Sequence, residues 1–88
     1  MEKRIGAVAI LIEDDIVGDD KVIGRINAVL AKHGNLILGR MGLPLRDKGV
    51  SVISLVIEGS TDQIGALTGQ IGNIKGIKVK SVLTAYRS

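Results

Sequence analysis

The sequence predicts an α+β fold in which strands and helices follow the order βαββαβ. Two amphipathic helical patterns each follow a strand that is apolar on both faces, and a glycine-rich strand with a turn joins the two halves. Two right-handed crossovers joined by a hairpin give a four-stranded antiparallel sheet with both helices on one face, the ferredoxin-like sandwich. The predicted strands are 3–12, 35–46, 50–58 and 76–84, and the predicted helices are 20–33 and 61–73.

The first predicted strand is apolar on both alternating faces, with Val8 and Ile10 on one face and Ala7 and Ala9 on the other. A strand without a polar face is typical of the centre of a sheet that is covered on both sides. The strand at 50–58 has the same character. We therefore expect the first and third strands to lie in the middle of the sheet.

The first predicted helix carries one apolar stripe that ends at a histidine. The stripe comprises Val22, Ile23, Ile26, Val29, Leu30 and His33. Gly34 ends the helix, because glycine tolerates the backbone conformation found after a last turn. His33 is the only histidine, and a structural role for it is favoured over a metal-binding role because no partner ligands accompany it.

The stretch from Asn35 to Arg46 predicts an edge strand or a strand with a bulge. Pro44 lies within it, and proline cannot donate a hydrogen bond to a sheet ladder. The residues Asp47, Lys48 and Gly49 then predict the turn into the next strand.

The second predicted helix begins at a capping box, in which Ser60 and Gln63 bind each other's backbone N–H groups. Its buried stripe is predicted to contain Ile64, Leu67, Ile71 and Ile74. Glycines 65, 69 and 72 lie roughly on the opposite side, where they predict either a soft helix or a smooth surface for another chain. In the last strand, Lys78 and Lys80 share one face and Ile77 and Val79 share the other.

The face of the sheet that the helices cannot cover predicts self-association. Both central strands are apolar on that face too, and soluble monomers rarely expose a large apolar patch. We expect Val8, Ile10, Val52 and Val56 to form the contact with another subunit. The predicted assembly is a homo-oligomer, either a dimer or a tetramer.

Composition predicts a single domain over residues 1–88 with a net charge of +3. The first twenty residues carry a net −4 and the rest +7. This asymmetry fits a solvated surface or an attraction for an anionic ligand or an acidic partner. The absence of cysteine fits the cytoplasm, and the apolar stretch that ends at Ile12 is too short to span a bilayer, so no membrane association is expected.

Several functions of this fold are disfavoured by residue type. RNA-recognition modules stack bases on strand aromatics, and Tyr86 is the only aromatic residue. A soft-metal site would need cysteines. Ser51, Ser54 and His33 show no spacing that suggests a nucleophile with its base. We therefore expect no catalytic residue, no metal site and no cofactor.

Four segments resemble a known family. They are Arg40-Met41-Gly42-Leu43-Pro44-Leu45-Arg46, the strand Val50 to Glu58, the run Ile64 to Gly72, and Gly76-Ile77-Lys78-Val79-Lys80. From Arg4 to Thr84 the chain resembles the iron-only hydrogenase system regulators, small bacterial proteins of ACT-like fold. The resemblance implies an ACT-like oligomer with a regulatory role in hydrogenase expression or maturation. It does not imply metal sensing, because the histidines and cysteine of the related nickel-responsive repressor are missing.

A candidate ligand site joins the acidic loop of one subunit to the edge strand of its neighbour. It comprises Val17 and Gly18 of the loop together with Leu38, Gly39 and Arg40 of the strand. A small anionic metabolite is the expected ligand, since a guanidinium pairs with a carboxylate or phosphate.

Arg40 also has a purely structural interpretation. Alternation along the strand predicts that it shares a face with the apolar Leu36 and Leu38, where a guanidinium needs an anionic or carbonyl partner. Asp14, Asp15 and Glu58 are the candidate partners for a structural salt bridge.

Two other functions remain open. The domain could be an interaction module that holds a protein partner without any ligand. Weak binding of nucleic acid, which we rank last, would use a basic surface consisting of Arg40, Arg46, Lys48, Lys78 and Lys80.

Overall fold

The predicted βαββαβ order is confirmed by the computed structural model, which describes residues 3–13 and 20–84 apart from the side chains of Asp20 and Arg46. The main elements are β1 (Arg4–Glu13), α1 (Asp20–Lys32), β2 (Ile37–Leu45), β3 (Val50–Gly59), α2 (Thr61–Gly72) and β4 (Ile77–Leu83). Short 3-10 turns occupy Gly34–Leu36 and Arg46–Lys48.

The four strands form one antiparallel sheet in the order β2-β3-β1-β4. The prediction that the first and third strands are central is therefore confirmed. Gly49, with φ 72°, lies in the turn between β2 and β3, where the left-handed backbone conformation favours glycine.

The hydrophobic core lies between the two helices and one face of the sheet. Its buried members, each at most 8% exposed, are Val8, Ile10, Ile12, Ile26, Leu30, Leu55, Ile57, Ile64, Leu67, Ile71, Ile74 and Ile77. This set contains the predicted stripe of α2, and the remaining apolar residues of the α1 stripe pack against it. The predicted capping box at the start of α2 is confirmed as well: Ser60 Oγ accepts from Gln63 N at 3.2 Å, and Ser60 N donates to Gln63 Oε1 at 2.9 Å.

The prediction that Val8 and Ile10 lie on the uncovered face is wrong. Val8 is 1% exposed and Ile10 is fully buried, and both pack beneath the helices. The helices cover the face with the bulkier side chains, which fills the core, and leave the face of Ala7 and Ala9 open. Both faces of β1 are apolar, so hydrophobicity alone could not distinguish them.

The second strand confirms the inference drawn from Pro44. β2 lies at the edge of the sheet, and its register with β3 shifts between Ile37 and Gly39, where Leu38 forms a bulge. Over the described residues, no helix is long and apolar enough to cross a membrane.

Candidate functional site: the uncovered sheet face and the β2 edge

The uncovered face of the sheet is built from three cross-strand rows that the strand register defines. In the order β2, β3, β1, β4 the rows are Leu43–Val52–Leu11–Lys78, Met41–Ser54–Ala9–Lys80 and Gly39–Val56–Ala7–Val82. Successive side chains of a strand point to opposite faces, so all twelve residues lie on the side away from the helices.

Large apolar side chains on this face are open to solvent. Met41 is 59% exposed, Val56 48%, Leu43 46% and Val82 71%. Val52 and Val56, two of the residues predicted to contact another subunit, do lie here, and Val52 is half-buried. The face therefore carries the apolar surface that the sequence predicted, with different β1 residues from those expected.

A shallow depression of about 290 Å³ lies at the β2 side of this face. It is lined by Gly39, Arg40, Met41, Ser54 and Val56. Gly39 has no side chain and Ser54 has a small one, and these two positions leave the space between the larger Met41 and Val56. Two of the predicted ligand-site residues, Gly39 and Arg40, thus border a concave surface.

Arg40 extends on the helix-facing side of the sheet, whereas its neighbours Gly39 and Met41 lie on the uncovered face. It is opposite Leu55 in the β2–β3 ladder, and its side chain is exposed. The predicted sharing of a face with Leu36 and Leu38 is not found, because the bulge interrupts the alternation. Leu36 is buried in the 3-10 turn before the strand, and Leu38 is 59% exposed.

The structural salt bridge suggested for Arg40 is not seen with Glu58. No carboxylate of the described residues forms an ion pair with its guanidinium. Asp14 and Asp15, the other candidate partners, lie outside the described residues, as do the ligand-site residues Val17 and Gly18. Of the predicted strand residues, Gly39 and Arg40 border the depression and the exposed Leu38 forms the bulge, whereas the loop half of the predicted site stays a prediction.

The basic residues proposed for nucleic acid are not gathered on one surface as far as their side chains are described, and the side chain of Arg46 lies outside that description. Lys78 and Lys80 extend from β4 at one edge of the sheet, whereas Arg40 and Lys48 belong to β2 and the turn after it, at the opposite edge. Lys78 Nζ lies 3.9 Å from Glu13 Oε1, and both side chains are more than half exposed. Such surface pairs contribute little to stability.

His33 lies between the helices rather than at the sheet. Its Nε2 is 3.1 Å from Gln70 Oε1, and the imidazole N–H donates to this amide oxygen. The bond links the turn after α1 to α2. Within residues 3–13 and 20–84, no group of three or more histidine, cysteine, aspartate or glutamate side chains could hold a metal ion.

Met41 and Ser54 were not predicted from the sequence to belong to a site. Both follow from the register: once Val56 is placed on the uncovered face, alternation places Ser54 there, and the β2 partner of Ser54 is Met41. The signal was present in the spacing of β3, but the pairing of β2 with β3 depended on locating the bulge.

Comparisons with known proteins agree on the fold. The chain is 36% identical to the uncharacterized protein TM1266 from Thermotoga maritima, with a TM-score of 0.83 over 93% of this chain and 98% of that chain. The ACT domain from GTP pyrophosphokinase of Chlorobium tepidum is 17% identical, with a TM-score of 0.69 over 91% of this chain and 99% of that domain. The C-terminal domain of the MgtC protein from Mycobacterium tuberculosis is 10% identical, with a TM-score of 0.66 over 97% of this chain and 92% of that domain.

The two more distant likenesses concern the fold alone, which is ACT-like. No curated protein matches the chain. Residues 4–81 match the model of the family described as "TM1266-like: Iron-only hydrogenase system regulator, putative". Because that match spans most of the 88 residues, the chain belongs to the TM1266-like family of iron-only hydrogenase system regulators.

Proposed function

We propose that the protein is a non-enzymatic, ligand-sensing regulatory domain that acts as a homo-oligomer in the control of hydrogenase expression or maturation. The observation that carries the ligand-sensing part is the edge of β2. There, an exposed arginine without a carboxylate partner among the described residues follows an exposed glycine at the edge of the sheet. The family description supports the regulatory part.

The chemistry of this edge favours a small anion. The Arg40 guanidinium presents five donors in a planar fork that matches a carboxylate or a phosphate. Gly39 leaves its backbone open to close approach, since nothing lies within 4 Å of the position that a Cβ would take there. Arg40 is opposite the buried Leu55 and therefore extends on the helix-facing side of β2, so a ligand bound to it lies at the strand edge and not on the face through which the copies would associate.

The proposed oligomer forms through the uncovered face. This face exposes apolar side chains from all four strands, and a domain of this size gains stability by burying them against a second copy. An interaction module without a ligand would use the same face, so the two functions differ in whether the β2 edge binds a metabolite.

Thermal melting of the wild type against a panel of small carboxylates and phosphates tests the proposal. A specific ligand at 100 times its Kd stabilises the folded state by about 2.7 kcal/mol, which raises the melting temperature measurably. Arg40→Ala should lose this response, and Arg25→Ala is the matched control because Arg25 is an exposed arginine on α1. If no anion of the panel stabilises the wild type and native mass spectrometry of freshly purified protein finds no retained ligand, the interaction module is the better account.

A further inference from the structure

We propose that two copies of the chain stack through their uncovered faces with the strands of one copy crossing those of the other at close to a right angle. The twofold axis would pass between the sheets along the line from Leu43 to Val82. The inference rests on the homo-oligomer proposed above and adds the orientation of the copies. Orthogonal stacking is one of the two common ways in which sheets pack.

The charges on the uncovered face are arranged asymmetrically. Lys78 and Lys80 occupy one side edge, on β4. Among the described residues, the carboxylates of this face lie at the two ends of the central strands: Glu58 lies opposite Ile5 at one end, and Glu13 lies at the other. The orientation of a second copy decides whether the lysines meet carboxylates, other lysines or apolar side chains.

The size of the face fits a second copy. Four strands about 4.8 Å apart and three rows about 7 Å apart, with the side chains around them, give a nearly square face of roughly 500 Å². Two such faces would bury about 1,000 Å² in total, which is the lower end for a specific interface. A nearly square face overlaps its partner about equally well whether the strands are aligned or crossed. The buried area therefore does not distinguish the orientations, whereas the positions of the charged side chains do.

Both aligned orientations place lysines of β4 against side chains with which they cannot form an ion pair. With the axis along the strands, β4 of one copy lies over β2 of the other, and Lys78 and Lys80 face Leu43 and Met41. With the axis across the strands, β4 lies over β4, and lysines of the two copies meet. Like charges placed together across an interface cost several kcal/mol, and an unpaired buried ammonium is also costly.

The two crossed orientations differ in what lies on the axis. One diagonal of the face runs from Gly39 to Lys78, so that Lys78 would face its own copy. The other runs from Leu43 to Val82, so that two apolar residues meet their own copies, which suits an isologous contact. The second diagonal avoids every lysine–lysine contact of the first.

On this second diagonal Lys78 lies over Gly39 of the other copy, at a corner of the face where it can keep its pairing with Glu13 of its own chain, and Lys80 approaches a carboxylate of the other copy. The end of β3 that carries Glu58 crosses the β4 edge of the other copy, which brings Lys80 within reach of the partner copy's Glu58 carboxylate. Leu11 of one copy then lies over the depression between Gly39 and Met41 of the other. The depression is therefore filled by a side chain in the assembly, whereas the helix-facing side of the β2 edge, from which Arg40 extends, stays open to a ligand.

Single cysteines test the axis directly, because the chain has no cysteine of its own. Leu43→Cys and Val82→Cys should each give a covalent dimer with a short bis-maleimide, since a residue on the axis faces its own copy. Lys78→Cys should not react in this way, because its two copies would lie roughly 20 Å apart. Met41→Cys should react more slowly than both axis variants. All four residues are exposed, so cysteine should preserve the fold.

The outcomes separate the orientation from the oligomer. A monomer by sedimentation with no cross-link in any variant would overturn the homo-oligomer itself. A dimer that cross-links through Met41→Cys but not Val82→Cys would show an axis across the strands or an edge-to-edge pair. One that cross-links through Lys78→Cys would show the other diagonal, and a dimer with no cross-link in any variant would show an axis along the strands. Each of these results overturns the proposed axis and leaves the oligomer standing.

A charge swap gives an independent readout. Lys80→Glu should weaken dimerisation by about tenfold or more, because it places two carboxylates together. Adding Glu58→Lys should restore most of the affinity, whereas adding Glu13→Lys should not. Circular dichroism melts of each variant confirm that the fold survives. Rescue by Glu13→Lys instead of Glu58→Lys would contradict the proposed crossing.

Discussion

Arg40 and Leu55 lie opposite each other in the β2–β3 ladder, yet Arg40 is exposed and Leu55 retains 1% of its surface. The helices thus cover Leu55 on β3 but do not cover Arg40 on the adjacent edge strand β2. An arginine is tolerated beside the core because its guanidinium extends into water past the helices. The β2 edge is therefore the part of the helix-facing side on which a charged group can meet a ligand.

Replacing Arg40 by alanine should leave the stability of the protein without added ligand nearly unchanged. The side chain is exposed and pairs with no carboxylate of the described residues, so we expect a change within about 0.5 kcal/mol. Thermal or urea unfolding measures this. A clear loss of stability would indicate a structural salt bridge, and pairing with the loop that contains Asp14 and Asp15 would then be the first explanation to test.

The same substitution should abolish stabilisation by an anionic metabolite if the β2 edge binds one. The melting temperature of the wild type should rise with ligand concentration and that of Arg40→Ala should not, while the Arg25→Ala control follows the wild type. A variant that keeps the full response would exclude Arg40 from the ligand site.

The sequence was sufficient to predict the order of elements, the central strands and the apolar helix stripes, because these depend on local spacing. It was insufficient for the orientation of β1. From Ile5 to Ile12 both faces of β1 are apolar, so no polar residue within this stretch marks one face as the solvent side. Only the packing of the helices against the bulkier face decides the question, and that packing is a tertiary property.

The candidate site, like the fold, could be predicted only in part from the sequence. Gly39 and Arg40 were predicted as ligand-site residues from residue type, and both border the depression, while their role in binding a ligand stays a prediction. The surroundings of Arg40 were predicted wrongly because Leu38 forms a bulge, which changes the face of each preceding residue relative to simple alternation. Pro44 indicated that the strand was irregular, but it did not indicate where.

Two aspartate substitutions should distinguish the core from the uncovered face. Val8→Asp places a carboxylate in the core at a position 1% exposed, and we expect a loss of several kcal/mol or complete unfolding. Val56→Asp places one on the uncovered face at a position 48% exposed, and the monomer should fold while the oligomer dissociates. Circular dichroism and sedimentation velocity report the two effects separately.

Val52→Asp is a further variant on the uncovered face and should behave like Val56→Asp, with a somewhat larger effect on the fold because Val52 is half-buried. The homo-oligomer would be contradicted if the wild type sediments as a monomer at micromolar concentration. A folded and assembled Val8→Asp variant would contradict the position of Val8 in the core.

The capping box at the start of α2 should contribute measurably to stability. Ser60 is 4% exposed, and its hydroxyl accepts from Gln63 N at 3.2 Å. Ser60→Ala leaves that N–H without its acceptor and should cost about 1 kcal/mol. Ser60→Asp should recover part of the loss, since a carboxylate also caps a helix. Equal stability of Ser60→Ala and the wild type in urea unfolding would mean that water replaces the hydroxyl at no cost.

Glycine substitutions should have opposite effects in α2 and β1. A Cβ at Gly65 would have no atom within 4 Å, so Gly65→Ala should stabilise the helix by about 0.5–1 kcal/mol. A Cβ at Gly6 would lie 2.6 Å from Leu83 Cδ2 and 2.8 Å from the backbone oxygen of Val82. Gly6→Ala must therefore push β4 away and should cost about 1–3 kcal/mol.

The Gly65 variant also tests whether the glycines of α2 form a contact for another chain. If they only soften the helix, Gly65→Ala should raise the melting temperature and leave the sedimentation coefficient of the oligomer unchanged. Gly69→Ala is the matched second variant, because its Cβ would also meet no atom within 4 Å. A gain in monomer stability accompanied by loss of assembly would instead place a second copy against this helix, and the uncovered sheet face would then not be the sole contact between subunits.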